Sequence, residues 1–437
     1  MAAMTRRDFM KVFSTIAFAG EMPLGTLAIP GNVLDGSRRL ILIELRGGND
    51  GLNTVVPYLD PAYIEARKTS LRLFTDHESS YRRVIPFSSW SGADQSDHFK
   101  PVGFGVHAHL DGLRDCWRQG EMAIIHGVGF NDQSRSHFAG ITDWNRGVPI
   151  IMPMDSHAER TTGWMTRLWR AQGLGSSDIH AIQLSRVDVT PVFGPLPGIR
   201  SLGMSNPEDM TSDAFALYKP TAENLATDRS ALRVVLEEMN NAHASRDAIA
   251  NALQDAPTVT GSYPDNALGD QFRSMAKLIG GGLACPFYKI HTGGFDTHAN
   301  QITIQGGLLL GLVDCIAALR NSLKESGDWD NTLIMTYSEF GRRLRENGSR
   351  GTDHGLANVH FMAGGAVRGG FYGQPPSLRA EDLDARGDIR PGIDVRRYFA
   401  TAAAFLGFSE ASRARALGLE TGAPNLDLTP IDCFNNG

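Results

Sequence analysis

A short apolar run that ends abruptly in a polar turn is the feature that most constrains the fold of this chain. It is clearest between Asn331 and Gly355. Thr332 to Tyr337 has the length and composition of a buried strand, and Glu339 follows it directly. A little further on, Asp353 and His354 stand between glycines that allow tight backbone turns. Because ligands of open α/β sheets bind outside the carboxyl ends of strands, this stretch predicts a site at a strand end.

The same pattern recurs along the chain. Apolar runs of strand length at 39–45, 121–127 and 285–291 each lead into a polar loop that contains or adjoins glycine. The side chains of interest after all these runs are Asp50, Ser136, Asp296, His298, Glu339, Asp353 and His354. Each has a simpler explanation on its own, since Asp50 suits an ordinary Asp-Gly turn and Ser136 suits a helix N-cap. Their recurrence at strand ends favours one shared site.

The order of strands and helices predicts the fold class. Strands alternate with helical segments, which favours an α/β fold with a mainly parallel sheet sandwiched by helices. We expect one such domain over residues 37–430, although the length would also allow two average domains. Within it, residues 145–282 are expected to form a mostly helical insertion or cap, with a candidate strand at 180–185.

The N-terminus has the pattern of an export signal. Arg6 and Arg7 are followed by Phe9 and Lys11 and then by a mostly apolar segment, which resembles a twin-arginine signal. A basic, disordered tail is the alternative. We expect residues 1–36 to be signal and linker, and the protein to be periplasmic or otherwise exported. The apolar segment is too short and interrupted for a stable membrane span.

Net charge and cysteine spacing exclude several classes of protein. The formal net charge of -6 gives no electrostatic reason to bind nucleic acid. The four cysteines have no CxxC spacing, so no zinc knuckle or thiol redox motif follows, and we expect core thiols. The sequence identifies no partner protein.

The side chains at the strand ends predict metal chemistry. Carboxylates and imidazoles suit zinc, manganese, magnesium or calcium, and an Asp-x-His triplet such as Asp296 to His298 can direct two ligands to one ion. Two ions about 4 Å apart could activate an oxygen nucleophile and clamp an oxyanion. We therefore expect one or two divalent cations.

Several motifs together carry a family resemblance. The twin-arginine start, ELRGGNDGLNTVVPY, SRSHF, GGFDTHANQ, SEFGR and GTDHG are similar to the exported bacterial family catalogued as domain of unknown function 1501, from about Arg38 to about Ala423. That family belongs to the alkaline phosphatase and sulfatase-like superfamily. The resemblance implies an alkaline phosphatase-like fold.

The resemblance also implies roles for individual residues. Asp50 would bind one metal with Asn49 as a possible helper, and Glu339 and Asp353 would complete that site. Asp296, His298 and His354 would serve the other metal. Ser136 would be the nucleophile, with Ser134 as its rival. His137 would orient a neighbour or bind metal. Apart from the resemblance, Arg135 and Arg342 are candidate contacts for an anionic ester, with ordinary solvated arginines as the alternative. The chain lacks the Cys-x-Pro-x-Arg signature, which disfavours a formylglycine-type sulfatase.

Two hypotheses about function follow. The first is an exported metal-dependent hydrolase of phosphate or sulfate esters, with an anionic ester as its substrate. The alternative is a non-catalytic binding or assembly protein on the same fold, since a fold does not settle function. Metal-assisted isomerisation or phosphoryl transfer is a third reading.

Overall fold

The computed structural model describes residues 37–90, 102–149, 162–173, 179–185, 192–193, 200–211 and 230–435. In these residues one large sheet runs through the protein, with the strand order β13-β5-β12-β9-β1-β8-β6-β7 and with β14 paired to β5. Its pairings are parallel except those made by β12. Two small sheets, β2-β4-β3 and β10-β11, lie beside it.

The strands are short, as is usual for a sheet of this kind. In chain order they are β1 Arg39–Leu45, β2 Val55–Val56, β3 Val84–Pro86, β4 Gly105–His107, β5 Met122–Gly129, β6 Ala181–Gln183, β7 Ser201–Gly203, β8 Phe287–Thr292, β9 Thr332–Tyr337, β10 Arg342–Glu346, β11 Thr352–His354, β12 Asn358–Ala363, β13 Gly370–Tyr372 and β14 Ile393–Asp394.

The α-helices connect these strands and cover the large sheet. They are α1 Pro61–Ala66, α2 Arg114–Arg118, α3 His137–Arg146, α4 Trp164–Gln172, α5 Ser230–Asp255, α6 Ala267–Gly280, α7 Gln301–Glu325, α8 Val395–Phe405 and α9 Glu410–Arg413.

Strand β1 shows why the sheet is central. Alternate side chains of a strand point to opposite faces, so a continuous apolar run can supply two cores. Leu40 and Leu42 pack into a core with residues of α3, α4 and α8, whereas Ile41 and Ile43 pack into a second core with residues of α6 and α7. The fold class predicted from the sequence is therefore confirmed: the sheet is mainly parallel and lies between two layers of helices.

The segment 145–282 does more than cap the sheet. Its described part contains the helices α4, α5 and α6, as predicted, but β6 and β7 extend the large sheet beyond β8. The predicted signal and linker, residues 1–36, lie outside the described residues. The four cysteines are free and buried, as expected for core thiols.

One described helix, α7, is long and apolar enough to cross a membrane by length and composition, with a mean hydropathy of 1.9. Half of that apolar window is buried inside the protein. Leu309, Leu312 and Leu319 pack into the core beneath β1, as in a core helix of a globular protein.

Candidate functional site

Three neighbouring parallel strands deliver their carboxyl ends to one place. β9, β1 and β8 are adjacent, and they are followed by Glu339, by the loop 46–50 and by the loop 293–300. Helix α3 begins at His137, and the β10–β11 hairpin ends at His354. The edge at which the sequence predicts a site is thus built from five separate parts of the chain.

The side chain of Arg342 connects the loops that follow β1 and β8 with the β10–β11 hairpin. Its buried guanidinium donates to the carbonyl oxygens of Gly48 at 2.7 Å, Thr352 at 2.7 Å and Phe295 at 3.0 Å, and also to that of Gly47. It also donates to Oδ1 of Asp296 at 2.7 Å. Because these contacts use the guanidinium within the protein, Arg342 does not have the free anion-binding role that the sequence suggested.

The glycine at position 47 is required by the close approach of two loops. Gly47 has a φ of 115°, and a Cβ there would collide with the backbone nitrogen of Asp296. Its own N–H donates to Oε1 of Glu339 at 2.8 Å. The Gly-Gly pair after β1 therefore lets the Asp296 loop and the Glu339 turn meet.

Three histidines surround the carboxylate of Asp296. Nε2 of His354 and Nε2 of His298 each lie 3.1 Å from Oδ1, and Nε2 of His137 lies 3.3 Å from Oδ2. The Nε2 atoms of His298 and His354 are 2.9 Å apart. Ligand atoms of His137, Asp296 and His354 all lie within 4.8 Å of one another, which makes them a candidate metal group. We call His137, His298, His354 and Asp296 the histidine cluster.

The other nitrogen of each ring faces an acceptor. Nδ1 of His137 lies 2.7 Å from Oε1 of Glu339. Nδ1 of His298 lies 3.2 Å from Oδ1 of Asp353, and Nδ1 of His354 lies 2.7 Å from the carbonyl oxygen of Arg135. Carbonyl and carboxylate oxygens only accept, so a ring that carries its proton on Nδ1 donates to this acceptor and has its lone pair on Nε2. All three Nε2 lone pairs are then directed at Asp296.

The electrostatics of the cluster suit a ligand set. Partial burial raises the pKa of Asp296, but the hydrogen bond and the positive charge of Arg342 outweigh this effect and hold the pKa well below its usual range. Burial lowers the pKa of His354, and the positive charge of Arg342 acts in the same direction. Asp296 is therefore ionised and His354 neutral near neutral pH.

His137 differs from His354 in this respect. Its hydrogen bond to Glu339 raises its pKa against the opposing effect of burial. The carboxylate of Glu339 is fully buried and also accepts from the backbone of Gly47. Glu339 therefore fixes the orientation of His137, a role that the sequence had not assigned to it.

Glu339 and Asp353 were predicted as metal ligands. In the structure they contact the histidines of the cluster but do not belong to it. Each faces a histidine Nδ1 instead of joining the Nε2 atoms. Asn347 also donates to Asp353, at 3.3 Å. These two carboxylates are placed to orient imidazole ligands, as outer carboxylates do in metal sites.

Asp50 was also predicted as a metal ligand, but the structure gives it a different environment. Its carboxylate is fully buried and forms an ion pair with the equally buried Arg67, whose Nη2 lies 3.0 Å from Oδ1. Oδ1 also accepts from the backbone N–H of Leu52 at 3.1 Å, and Gln301 donates to Oδ2. A buried carboxylate needs such partners, and Arg67 neutralises its charge. The predicted helper Asn49 accepts from Thr54 at 3.1 Å.

The loop that leads into α3 carries the predicted nucleophile. Ser136 is exposed and is the N-cap residue of α3, but its side chain makes no capping hydrogen bond. Its backbone N–H donates to Oγ of Ser134 at 3.2 Å. The Ser134 hydroxyl thus supports the loop, while the Ser136 hydroxyl stays open to solvent next to His137.

Arg135 was predicted to contact an anion, and the structure engages it elsewhere. Its Nε donates to Asp388 at 2.7 Å and its Nη2 to Asp384 at 2.8 Å. Sequence reasoning missed both aspartates, as it missed Arg67. The run Asp384 to Asp388 is a polar turn without a preceding apolar strand, so it lacks the signal that marked the other residues.

Sequence comparison identifies one family. Residues 205–407 match the model of the family described as protein of unknown function (DUF1501). No curated protein matches the chain in sequence.

Solved structures with a similar arrangement include a protein in the alkaline phosphatase superfamily from Vibrio parahaemolyticus, at 11% identity and a TM-score of 0.37, covering 93% of this chain and 76% of that one. The phosphonate monoester hydrolase of Agrobacterium radiobacter has 11% identity and a TM-score of 0.36, with 85% and 74% covered. The PsFucS1 sulfatase from Pseudoalteromonas sp. has 11% identity and a TM-score of 0.34, with 85% and 68% covered.

The matched segment contains GGFDTHANQ, SEFGR and GTDHG, which are three of the motifs that carried the resemblance, and it contributes Asp296, His298 and His354 to the histidine cluster. The chain therefore matches the DUF1501 family from residue 205 to residue 407, and the predicted resemblance to that family is confirmed over this segment.

Proposed function

We propose that this protein is an exported metal-dependent hydrolase of phosphate or sulfate esters. The observation that carries the proposal is the histidine cluster, in which three Nε2 atoms face one carboxylate while every Nδ1 is held by an acceptor. Structural ion pairs between histidine and aspartate do not need three rings oriented in this way. Imidazole ligands of metals do, because the acceptor at Nδ1 directs the Nε2 lone pair to the ion.

The donor set fits a divalent cation. With the ring protons on Nδ1, the Nε2 atoms of His298 and His354 are two lone pairs facing each other at 2.9 Å, and each also faces the ionised Asp296. Acceptors at this distance repel unless a positive charge lies between them, which a bound cation or an added proton would supply. Histidine and aspartate ligation suits zinc or another first-row divalent ion.

His137, Asp296 and His354 would hold one ion, and His298, whose Nε2 lies 2.9 Å from that of His354, would be a further ligand beside them. A divalent cation in such a site supplies a Lewis acid for an ester oxygen. Glu339, Asp353 and the Arg135 carbonyl keep the three rings in the binding tautomer. Arg342 keeps Asp296 ionised and fixes the loop that carries it.

Ser136 is the proposed nucleophile. Its hydroxyl oxygen would bond to the phosphorus or sulfur of the ester as the alcohol leaves, and water would then release the anion from the serine. Its place at the first turn of α3 supports this role, since unpaired N–H groups at a helix N-terminus stabilise an anion. The helix N-terminus would take the role assigned to Arg135 and Arg342, whose side chains are engaged within the protein.

Export through the twin-arginine route is part of the proposal, and it rests on Arg6, Arg7 and the apolar segment after them. Replacing both arginines by lysine should retain the protein in the cytoplasm, as measured by cell fractionation and immunoblotting. The same protein in the exported fraction with both changes would contradict this route.

One observation favours the alternative of a binding or assembly protein. Both arginines that the sequence offered for anion recognition are used in internal contacts. A protein of that kind would keep the metal for structure and cleave no ester. Metal binding without turnover, with stability that depends on the metal, would support this alternative.

The first test is metal content. We expect about one equivalent of a divalent metal in protein purified without chelators, measured by inductively coupled plasma mass spectrometry, because the ligand atoms of His137, Asp296 and His354 lie close enough together for a single ion. His354→Ala should lose that metal. His77→Ala, the same change at a histidine that precedes β3 and lies outside the cluster, should keep it. Folded wild-type protein that binds no zinc, manganese, magnesium or calcium on titration would refute the proposal.

The second test is turnover. The metal-loaded protein is assayed with aryl phosphate and aryl sulfate esters, and the release of the phenol is followed by absorbance. Asp296→Ala should abolish release while the protein stays folded by circular dichroism. Release that is unchanged in Asp296→Ala and in His354→Ala would remove the cluster from the reaction.

A further inference from the structure

A turn far along the chain holds the loop that precedes α3. Asp388 is fully buried, and its Oδ2 accepts from Nε of Arg135 at 2.7 Å. Asp384 accepts from Nη2 of the same guanidinium at 2.8 Å. The backbone N–H of Asp388 donates to Oδ1 of Asp384 at 2.9 Å, so the two carboxylates are part of one turn. We call residues 384–388 the aspartate turn.

The backbone of Arg135 transmits this contact to the histidine cluster. While the aspartate turn holds the Arg135 side chain, the carbonyl oxygen of Arg135 accepts from Nδ1 of His354 at 2.7 Å. In the tautomer that makes this hydrogen bond, the ring proton is on Nδ1 and the Nε2 lone pair faces Asp296 and His298. His354 thus depends on a backbone oxygen whose position is set by a side-chain ion pair.

Asp388 has a second contact that ties the turn to the opposite side of the site. Its Oδ1 lies 3.2 Å from Nε of Arg343, which follows Arg342 in β10. Asp388 therefore bridges the loop before α3 and the hairpin that ends at His354. The loop that supplies the acceptor and the β10–β11 hairpin that carries His354 are therefore both attached to this one carboxylate.

We propose that Asp388 is a positioning residue for the metal ligand His354, acting through Arg135. This inference rests on the proposed metal site. Groups that hydrogen-bond a metal-ligating imidazole directly change affinity about 10-fold to 100-fold when they are removed, and we carry this range over to Asp388, which acts through Arg135. Asp388 touches neither the metal position nor the ester.

The test compares D388N with wild-type protein and with D270N, which removes one carboxylate from the exposed ion pair with Arg273 on α6. Zinc affinity is measured by competition with a chromophoric chelator. We expect D388N to bind zinc about 10-fold to 100-fold more weakly and D270N to bind it as wild type does. Circular dichroism and the melting temperature check that both variants are folded.

A second measurement separates positioning from a general loss of structure. Nitrogen-15 chemical shifts of labelled histidine in metal-free protein report which ring nitrogen carries the proton, and the His354 signals are assigned with His354→Gln. We expect the Nδ1–H form in wild type and in D270N, and a mixture of tautomers in D388N. If D388N does not fold, D384N takes its place, since that side chain reaches solvent and shares the Arg135 contact.

The outcomes are distinct. Zinc affinity and tautomer that are both unchanged in D388N, in protein that loses zinc through His354→Ala, would overturn the inference and leave the proposed function standing. Wild-type protein that binds no metal would refute the proposed function. In that case His354 is not a metal ligand, and the inference, which rests on that site, is overturned with it.

Discussion

A buried histidine away from the cluster makes the protein sensitive to acid. His360 lies on β12 and is fully buried between the edge of Trp144 and the face of Tyr398, with ring centroids 5.3 Å and 5.7 Å away. Neither of its ring nitrogens has a hydrogen-bond partner among the described residues. Burial without a partner lowers the pKa of His360 to about 3.

The sign and size of the effect follow from linkage. The unfolded chain protonates this ring near its ordinary pKa of 6.5, while the folded protein does not until about 3. Between these values the unfolded state binds more protons, so the stability contributed above pH 6.5 is lost as pH falls. From about pH 7 to about pH 5 the loss is about 2 kcal/mol, at about 1.4 kcal/mol for each pH unit below the unfolded pKa.

The assay is urea unfolding at those two pH values, followed by circular dichroism, with chelator present so that metal binding does not contribute. The free energy of unfolding should fall by about 2 kcal/mol less in His360→Leu than in wild type between the two values. His77→Leu, at a histidine whose ring is partly open to solvent, should fall as wild type does. An equal fall in His360→Leu and wild type would refute the reasoning, because His360 would then be protonated in the folded protein.

Three further changes test other parts of the site. Arg67→Met leaves the carboxylate of Asp50 buried without its ion-pair partner. It should lower the free energy of unfolding, measured in urea, by about 3 to 5 kcal/mol. A loss below about 1 kcal/mol would mean that Asp50 finds another partner. Glu339→Gln should retain zinc but bind it about 10-fold to 100-fold more weakly in a chelator competition, whereas complete loss of zinc would make Glu339 a direct ligand. Ser136→Ala should abolish ester turnover with zinc content unchanged, and Ser134→Ala should only weaken it; the opposite order would exchange the two roles.

Much of the sheet could be predicted because its strands are buried on both faces. Arg39–Leu45 and Thr332–Tyr337 have the bounds expected from the apolar runs alone, since a doubly buried strand has no polar face to interrupt it. The strands β6 and β7 have three residues each and lie in a segment read as mostly helical. The candidate strand at 180–185 contains β6, whereas β7 was not predicted, because a run of three residues carries too little periodicity.

The sequence could predict only those site residues that follow an apolar run or stand between glycines. Asp296, His298 and His354 follow apolar runs or stand between glycines, and the structure brings them together with His137. The pairing of charges was not predictable in the same way. Arg135 meets Asp388 across 253 positions of sequence, and no local pattern indicates which carboxylate a given arginine will reach.

For the same reason, the role of each carboxylate depends on the side chain that it contacts. Asp50 and Glu339 have the residue types and positions of ligands, yet Arg67 neutralises the first and the second orients His137. Sequence indicates that a carboxylate stands at a strand end. Whether it faces a cation, an arginine or an imidazole depends on contacts made in three dimensions.

The contacts of Arg342 have a consequence for the order in which the protein matures. This one side chain joins carbonyl groups near positions 48, 295 and 352, which belong to parts of the chain synthesised at widely separated times. The Asp296 loop reaches its final place only after the last of them has been made, so an incomplete chain cannot hold the metal in the proposed way. A chain that crosses the membrane already folded would take up its ion before translocation. The metal supply where the protein is synthesised, and not that of its destination, would then decide which ion it carries.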